Sequence, residues 1–311
     1  MTQQRSKSAT PQKDDGTGTW GFIVDVGADA NGHRRQARRR GFRTKAEAQA
    51  ALDELRGGAR QGTYVAPNRQ RLADYLRDDW LPAQRRELAE TTWESYERNI
   101  RHHIIPRIGG VQLQALDGVM LDKLYTDLLL EGRLRGKQSA GLKPRTVRYI
   151  HTIIHAALDD AVKSRRVPLN AADQSTPPST KNSRAPEMKV WTAAELSRFL
   201  SANEDDRHWF PWFFLATTGC RRGEALGLRW RDLDLDTTPA SASIRQQVVP
   251  LPKAGGIGRE PRIVSTTKGG RARMIELDTP TVAMLRTWKA RQAEERLQLG
   301  AGFADHGLVF A

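Results

Sequence analysis

Two basic side chains, Arg221 in the run TTGCRRGEALGLRW and Lys268 in the run TTKGGRARMIEL, are the residues whose types could do chemistry together. An always-charged guanidinium and a separately delivered ammonium suit a phosphodiester in its transition state. The spacing predicts that Arg221 sits at a tight helical turn and that Lys268 is presented by a hairpin whose arms, Arg262–Thr266 and Ala272–Leu277, pair with each other. Other chemistries fit less well. His151 and His155 stand four apart, a metal-ligand spacing, but Thr152 occupies the place where a zinc protease needs glutamate and no third ligand suggests itself. No complete phosphate-cradling GxxxxGK[ST] loop is present, and the glycines at 255, 256 and 258 read as a hairpin tip.

Composition sets the partner class. Lys plus Arg outnumber Asp plus Glu by 50 to 36, and the excess is distributed as +4 over residues 1–58, +6 over 59–172 and +4 over 173–311. A partner that meets all three segments with negative charge is most simply a nucleic acid, which rewards distributed cations by releasing counterions. Arg exceeds Lys by 38 to 12; this fits bidentate phosphate binding, and equally the codon bias of a GC-rich genome. With Cys220 as its one cysteine the chain has no disulfide framework and no cysteine-based metal cluster, which fits a reducing cytosol. No apolar run reaches the roughly 20 residues needed to span a bilayer, so no membrane partner is expected.

The 311 residues are enough for two or three compact domains. Thr19–Val26 alternates apolar and polar residues, Asn31-Gly32 supplies a turn, and Arg34–Phe42 returns as a basic strand. Thr44 caps a helix through Leu55 that lays Ala48, Ala51, Leu52 and Leu55 on the small sheet. The other sheet face is expected to carry Arg34, Arg35, Arg38, Arg39, Arg40 and Arg43. On a ribbon thin enough for a major groove, that set reads as a DNA contact; the alternative is a solvated charged face.

Residues 57–69 read as a linker, followed by helices. Thr91–Glu94 has the form of a capping box, and Trp93, Tyr96 and Ile100 continue an apolar face that Pro106 and Gly109-Gly110 should end. A further helix is marked by Leu121, Leu124, Tyr125 and Leu128. From Arg133 to Arg148 there are six positive charges and no acid, and the next helix, from Arg145 to Lys163, has Val147, Ile150, Ile154, Leu158 and Ala161 as its buried stripe. Lys143, Arg145 and Arg148 at its start are candidate phosphate ligands. Residues 173–190, rich in Pro, Ser and Thr, form a second linker. Thr192–Glu195 is another capping box, Trp209–Ala216 must be core, Ser243–Pro250 reads as a strand, and Thr281–Leu299 as a long amphipathic helix.

The run Thr218-Gly219-Cys220-Arg221-Arg222-Gly223-Glu224, with Leu226, Leu228, Trp230 and Asp232-Leu233, resembles the first active-site box of the tyrosine recombinases, or phage integrases, and residues 265–273 resemble their lysine hairpin. The resemblance implies a multidomain α+β protein. Residues 1–58 would be an arm-type DNA-binding domain of a three-stranded sheet and a helix, and 59–172 an all-α, SAM-like core-binding domain. Residues 191–311 would be the N-terminal part of a mixed α/β catalytic domain. It further implies that Arg221 binds non-bridging oxygens of the scissile phosphate, that Lys268 protonates the departing 5′ oxygen, and that Glu224 orients Arg221 from behind. Strand exchange would proceed on double-stranded DNA attachment sites through a 3′-phosphotyrosyl intermediate, by a tetramer, in the cytoplasm of a bacterium, with no cofactor and no metal. Cys220 is expected to be inert.

The family pattern continues with a His-x-x-Arg box and a late tyrosine. Here Tyr64, Tyr75, Tyr96, Tyr125 and Tyr149 all precede Arg221, and His306 has no arginine three residues later. The expectation is therefore a C-terminally incomplete catalytic domain that binds DNA without cleaving it. The alternative is a non-catalytic DNA-binding regulatory protein or a decayed integrase; a type IB topoisomerase shares the chemistry but not the arm-like first segment.

Overall fold

The computed structural model describes residues 10–28, 33–61, 64–133, 140–252, 259–264, 272–302 and 306–310. The chain divides into two compact units, Met1–Pro186 and Glu187–Ala311, and the division falls inside the Pro/Ser/Thr-rich stretch.

The first unit opens with a three-stranded antiparallel sheet of β1 (Gln12–Lys13), β2 (Trp20–Ala28) and β3 (Arg34–Phe42), in that order. Side chains alternate across a strand, so the buried Phe22, Val24 and Ala37 lie on one face, against α1 (Lys45–Gln61) with its buried Ala48 and Leu52. Phe42 joins the same core although it is five residues from Ala37, an odd step that alternation alone would turn outward. A register shift between Trp20 and Phe22, with Gly41 at φ +90°, supplies the extra half-period. Thr44 caps α1 as expected: its hydroxyl accepts from Glu47 N (3.2 Å), and Glu47 returns a carboxylate to Arg43 N and Thr44 N. The helix runs past Leu55 through Gly57-Gly58 to Gln61, beyond the predicted boundary. Each glycine costs about 1 kcal/mol in a helix interior, and anchoring of Leu55 and Tyr64 in the arm core offsets it. The Asn31-Gly32 turn lies outside the described residues.

A helical core follows. It is built from α2 (Leu72–Asp74), a wide π-type stretch at Tyr75–Trp80, α3 (Leu81–Gln84), α4 (Glu90–Asn99), a second wide stretch at Ile100–Ile104, α5 (Ile105–Ile108), α6 (Gly118–Glu131) and α7 (Pro144–Lys163). The predicted stripe of α7 is buried without exception, and Ile153 and Ala157 widen it. Burying each such Ile or Leu side chain contributes roughly 1.5–3 kcal/mol. Three polar tips are tied off at its edge: Tyr75 donates to Ala157 O (2.8 Å), and Trp80 and Gln84 donate to Asp160 (2.9 and 3.0 Å).

Two local expectations fail here. The Thr91–Glu94 box does not cap a helix: α4 begins at Glu90 with Ala89 in the cap position and no side-chain bond. The start is fixed instead by Trp93, whose indole donates to Leu81 O at 2.8 Å. Nor does Pro106 end the helical path, which continues to Ile108 and stops at Gly109-Gly110 as expected; the wide turn before the proline accommodates a residue with no N–H.

The second unit contains α8 (Ala193–Ala202), α9 (Trp209–Thr218), α10 (Arg222–Leu226), then β4 (Leu233–Asp234), β5 (Ala240–Ile244), β6 (Gln247–Pro252), β7 (Arg259–Val264), β8 (Arg273–Leu277) and α11 (Thr279–Leu299). The Thr192–Glu195 capping box is present in both directions. The predicted strand 243–250 is two strands in two sheets: β5 lies between β4 and β8, and β6 pairs with β7. Gln246 makes the break, its buried amide donating to Gly227 O at 2.7 Å. The predicted pairing of the two arms around Lys268 is likewise corrected. β7 pairs back on β6, from Gln247↔Val264 to Pro252↔Arg259, and β8 pairs with β5, from Ala240↔Leu277 to Ile244↔Arg273. The hairpin β6–β7 is thus an excursion between two strands that are neighbours in the main sheet. Trp288 of α11 and Phe210 and Phe214 of α9 fill the core with Val309 and Phe310. α11 buries residues only over Thr281–Trp288; Leu297 and Leu299 are exposed, so its second half is not the amphipathic element expected.

Candidate functional site

The centre of the second unit is built at the end of α9. Gly219 takes φ +63°, the left-handed conformation that closes a helix cheaply only for glycine, and its N–H bonds Leu215 O (3.1 Å). The chain then buries Cys220 and leaves Arg221 extended, in the cap position of α10. Gly223 and Gly227 allow that short helix to lie against β6: a Cβ on Gly223 would stand 2.7 Å from Val248 O, and one on Gly227 2.8 Å from Gln247 Cα.

Glu224 is fully buried and accepts four donors. Arg221 supplies its backbone N–H to Oε2 and Nη1 to Oε1, both at 2.9 Å. Arg273, on β8, supplies Nη1 to Oε1 at 2.9 Å and Nη2 to Oε2 at 2.7 Å, a bidentate fork. The Arg273 fork, chiefly, with help from Arg221, holds the Glu224 carboxyl down at about 2 against the opposing effect of burial. Arg221 itself is 61% exposed, so the guanidinium is braced from behind and open in front. Burial pushes the Cys220 thiol up, against a hydrogen bond from the Thr218 region that acts the other way, which leaves it protonated and without nucleophilic character at neutral pH. Arg222 is exposed. Lys268 lies outside the described residues.

Arg273 is a residue the sequence reading missed as part of the centre. The available signal was the match of a buried acid to a surplus of arginines on a strand, but the partner identity depends on β5–β8 pairing. Arg245, 62% exposed, was missed too; with Ser243, Ala272, Arg273 and Met274 it lines a small cavity beside the clamp.

In the first unit, the six arm arginines do not share one face. Cross-strand partners share a face, so Arg38, opposite the exposed Ile23, lies on the open side with Arg40 and Arg34, the last ion-paired to Asp25. Arg39 is opposite the buried Phe22, and it and Arg35 project on the helix side, exposed at its margin. Arg43 lies beyond β3, exposed. Arg56 and Arg60 of α1, not singled out from sequence, line a concave surface together with Arg34, Gln36, Arg38 and Arg40. At the start of α7, Lys143 and Arg145 are exposed, with Pro144 in the first turn. Arg148 is half-buried and donates to Pro178 O at 2.9 Å, tying down the segment that leaves the helical core. His151 and His155 are occupied elsewhere: the former lies 2.9 Å from the Tyr125 hydroxyl, the latter 2.8 Å from Asp173.

Residues 11–57 match the family model described as an arm DNA-binding domain, and residues 74–129 the one described as a phage integrase N-terminal SAM-like domain. A tyrosine recombinase XerC-like protein of Caldanaerobacter subterraneus subsp. tengcongensis is 23% identical over 293 residues, which is 92% of this chain and 73% of that protein. An integrase of Streptomyces ambofaciens is 25% identical over 94% of this chain and 70% of its own length. Among solved structures, the Tn1549 transposon integrase in complex with a circular intermediate DNA has a TM-score of 0.54 at 18% identity, covering 71% of this chain and 65% of that chain. A lambda integrase tetramer bound to a Holliday junction has a TM-score of 0.51 at 16% identity, covering 99% of this chain and 79% of that one. No helix among the described residues is long and apolar enough to cross a membrane. With an arm DNA-binding segment and a SAM-like segment matched in its first half and relatives aligned over more than nine-tenths of its length, the chain is similar to the tyrosine recombinases and phage integrases.

Proposed function

We propose that this chain binds duplex DNA as a site-specific integrase, with Arg221 clamping a backbone phosphate, Glu224 orienting it, and Lys268 delivering the proton that a departing 5′ oxygen needs. The observation that carries this reading is the contrast between a 61% exposed Arg221 and a fully buried Glu224. Ordinary surface ion pairs hold both partners loosely in water and contribute little; here four hydrogen bonds to a buried carboxylate fix a guanidinium whose open side faces solvent. Fixed donors aimed at developing charge are the usual source of rate in phosphoryl chemistry.

The first unit supplies the grip. Arg38 and Arg40 on the open face of the arm sheet, and Lys143 and Arg145 at the start of α7, are placed for phosphates, and assembly as a tetramer on paired attachment sites follows from the same reading. Of the five tyrosines, Tyr75 and Tyr125 are buried, and burial raises both phenols, Tyr125 to about 12. That argues against these two as nucleophiles; a chain without a nucleophile is also what the second reading, a DNA-binding regulatory protein, requires.

The test is a mobility-shift titration on DNA flanking the gene, paired with suicide half-site substrates. Binding that weakens steeply with salt and no covalent adduct are expected. Binding indifferent to salt would sink the electrostatic reading, and an adduct would show that one of the five tyrosines is a nucleophile.

A further inference from the structure

We propose that Arg273 is a positioning residue that acts on the Arg221 site through its charge: by neutralising Glu224, it lets that carboxylate orient Arg221 without cancelling the pull of Arg221 on a phosphate. The inference rests on the proposed clamping role of Arg221.

A guanidinium held by one carboxylate forms a neutral pair, and a neutral pair offers an incoming phosphate directed N–H groups but little net field. At this centre two cations share one anion. Glu224 sits at the back, fully buried, while Arg221 and Arg273 are 61% and 39% exposed, so the surplus positive charge lies on the solvent side. Arg273 takes both carboxylate oxygens in its fork, and Arg221 uses Nη1 and its backbone N–H on the same two oxygens. The Glu224 carboxyl, held near 2, stays ionised throughout the physiological range, so the two-to-one balance is permanent. Arg245 extends the positive rim: it lines the same small cavity as Arg273, and its Nε is 3.9 Å from Asp232 Oδ1, a loose contact. An arginine acting only as a strut would need the fork; one acting through charge would be replaceable by lysine, which keeps the charge and loses the fork.

The experiment uses the full 311-residue chain and inorganic phosphate as the probe, following the Arg221 side-chain Nε–H signal by NMR, assigned by its loss in Arg221→Lys. Arg273→Gln is expected to weaken phosphate binding at Arg221 at least fivefold. Arg273→Lys should stay within twofold of the parent, and the double variant Glu224→Gln, Arg273→Gln should regain at least threefold over Arg273→Gln, because the uncompensated carboxylate is gone. Arg273→Gln within twofold of the parent, or Arg273→Lys as weak as Arg273→Gln, would overturn the proposal. Should circular dichroism show that Arg273→Gln does not fold, Arg273→Lys and the double variant decide: both within threefold of the parent supports the charge role, and a larger loss in Arg273→Lys overturns it. A parent Arg221 signal that phosphate does not move would defeat the clamp reading itself, and this proposal with it.

Discussion

Arg273 grips both oxygens of Glu224, at 2.9 and 2.7 Å, although 49 positions separate them in the chain. The contact joins a sheet strand to a short helix, so the orientation of Arg221 depends on the registration of β8 as well as on its own turn.

Removing the carboxylate should therefore cost stability out of proportion to one hydrogen bond. Glu224→Ala leaves two arginines side by side with no anion and is expected to destabilise the chain by about 2–4 kcal/mol, read as a lower midpoint in urea unfolding. A loss below about 0.5 kcal/mol, the usual range for surface changes, would contradict the buried network.

The same network predicts an acid limb. The folded Glu224 carboxyl is held at about 2 against an ordinary value of 4.5. A depressed carboxylate contributes stability that is fully present above its unfolded value and is lost as pH falls toward its folded one. Thermal midpoints should drop between about pH 5 and pH 2, and Glu224→Gln should flatten that part of the profile. An unchanged slope in Glu224→Gln would place the acid sensitivity elsewhere.

Gly223 and Gly227 hold α10 against β6 at distances no side chain allows. Gly223→Ala should cost about 1–3 kcal/mol through forced displacement of the Val248 carbonyl or the helix. Because that displacement moves Arg221, phosphate binding should fall with it. A variant of parental stability would mean that the helix and hairpin separate easily.

Arg145 and Arg148 are neighbours in sequence with different expected phenotypes. Arg145→Ala should reduce the slope of log K against log salt by about 0.9 with unchanged stability, the loss of one phosphate contact. Arg148→Ala should instead release the segment held at Pro178 O, read as faster tryptic cleavage at Lys181 and Arg184. Equal behaviour of the two in both assays would contradict this division.

On the arm sheet, Arg38→Ala and Arg40→Ala should weaken DNA binding more than Arg35→Ala and Arg39→Ala. The open face is where a groove can approach, and α1 covers the other. A reversed order would place the DNA on the helix side.

Periodicity made much of the architecture legible. The buried stripe of α7, the Thr44 and Thr192 caps and the apolar α9 all follow from local rules that tertiary structure did not overrule. Pairing was not legible, because a strand partner is chosen by distant hydrogen bonds. Hence local pattern matches the arms around Lys268 with each other, when β8 belongs with β5. The arginines of β3 read as one face because a run of like charges hides its alternation; the buried Ala37 and the register with β2 sort them. Arg221 stands out by residue type and motif, and Glu224 through the family resemblance, whereas Arg273 requires knowledge of which strand lies opposite.

The return of β8 to β5 after residues 245–272 also separates two design problems. The β5–β8 pairing that carries Arg273 spans the detour, whereas the first strand of the detour, through Gln246, Gln247 and Val248, seats α10 and with it Arg221. One half of the arginine brace is thus anchored by the main sheet and the other half by the excursion, and a mutation can loosen either without touching its partner.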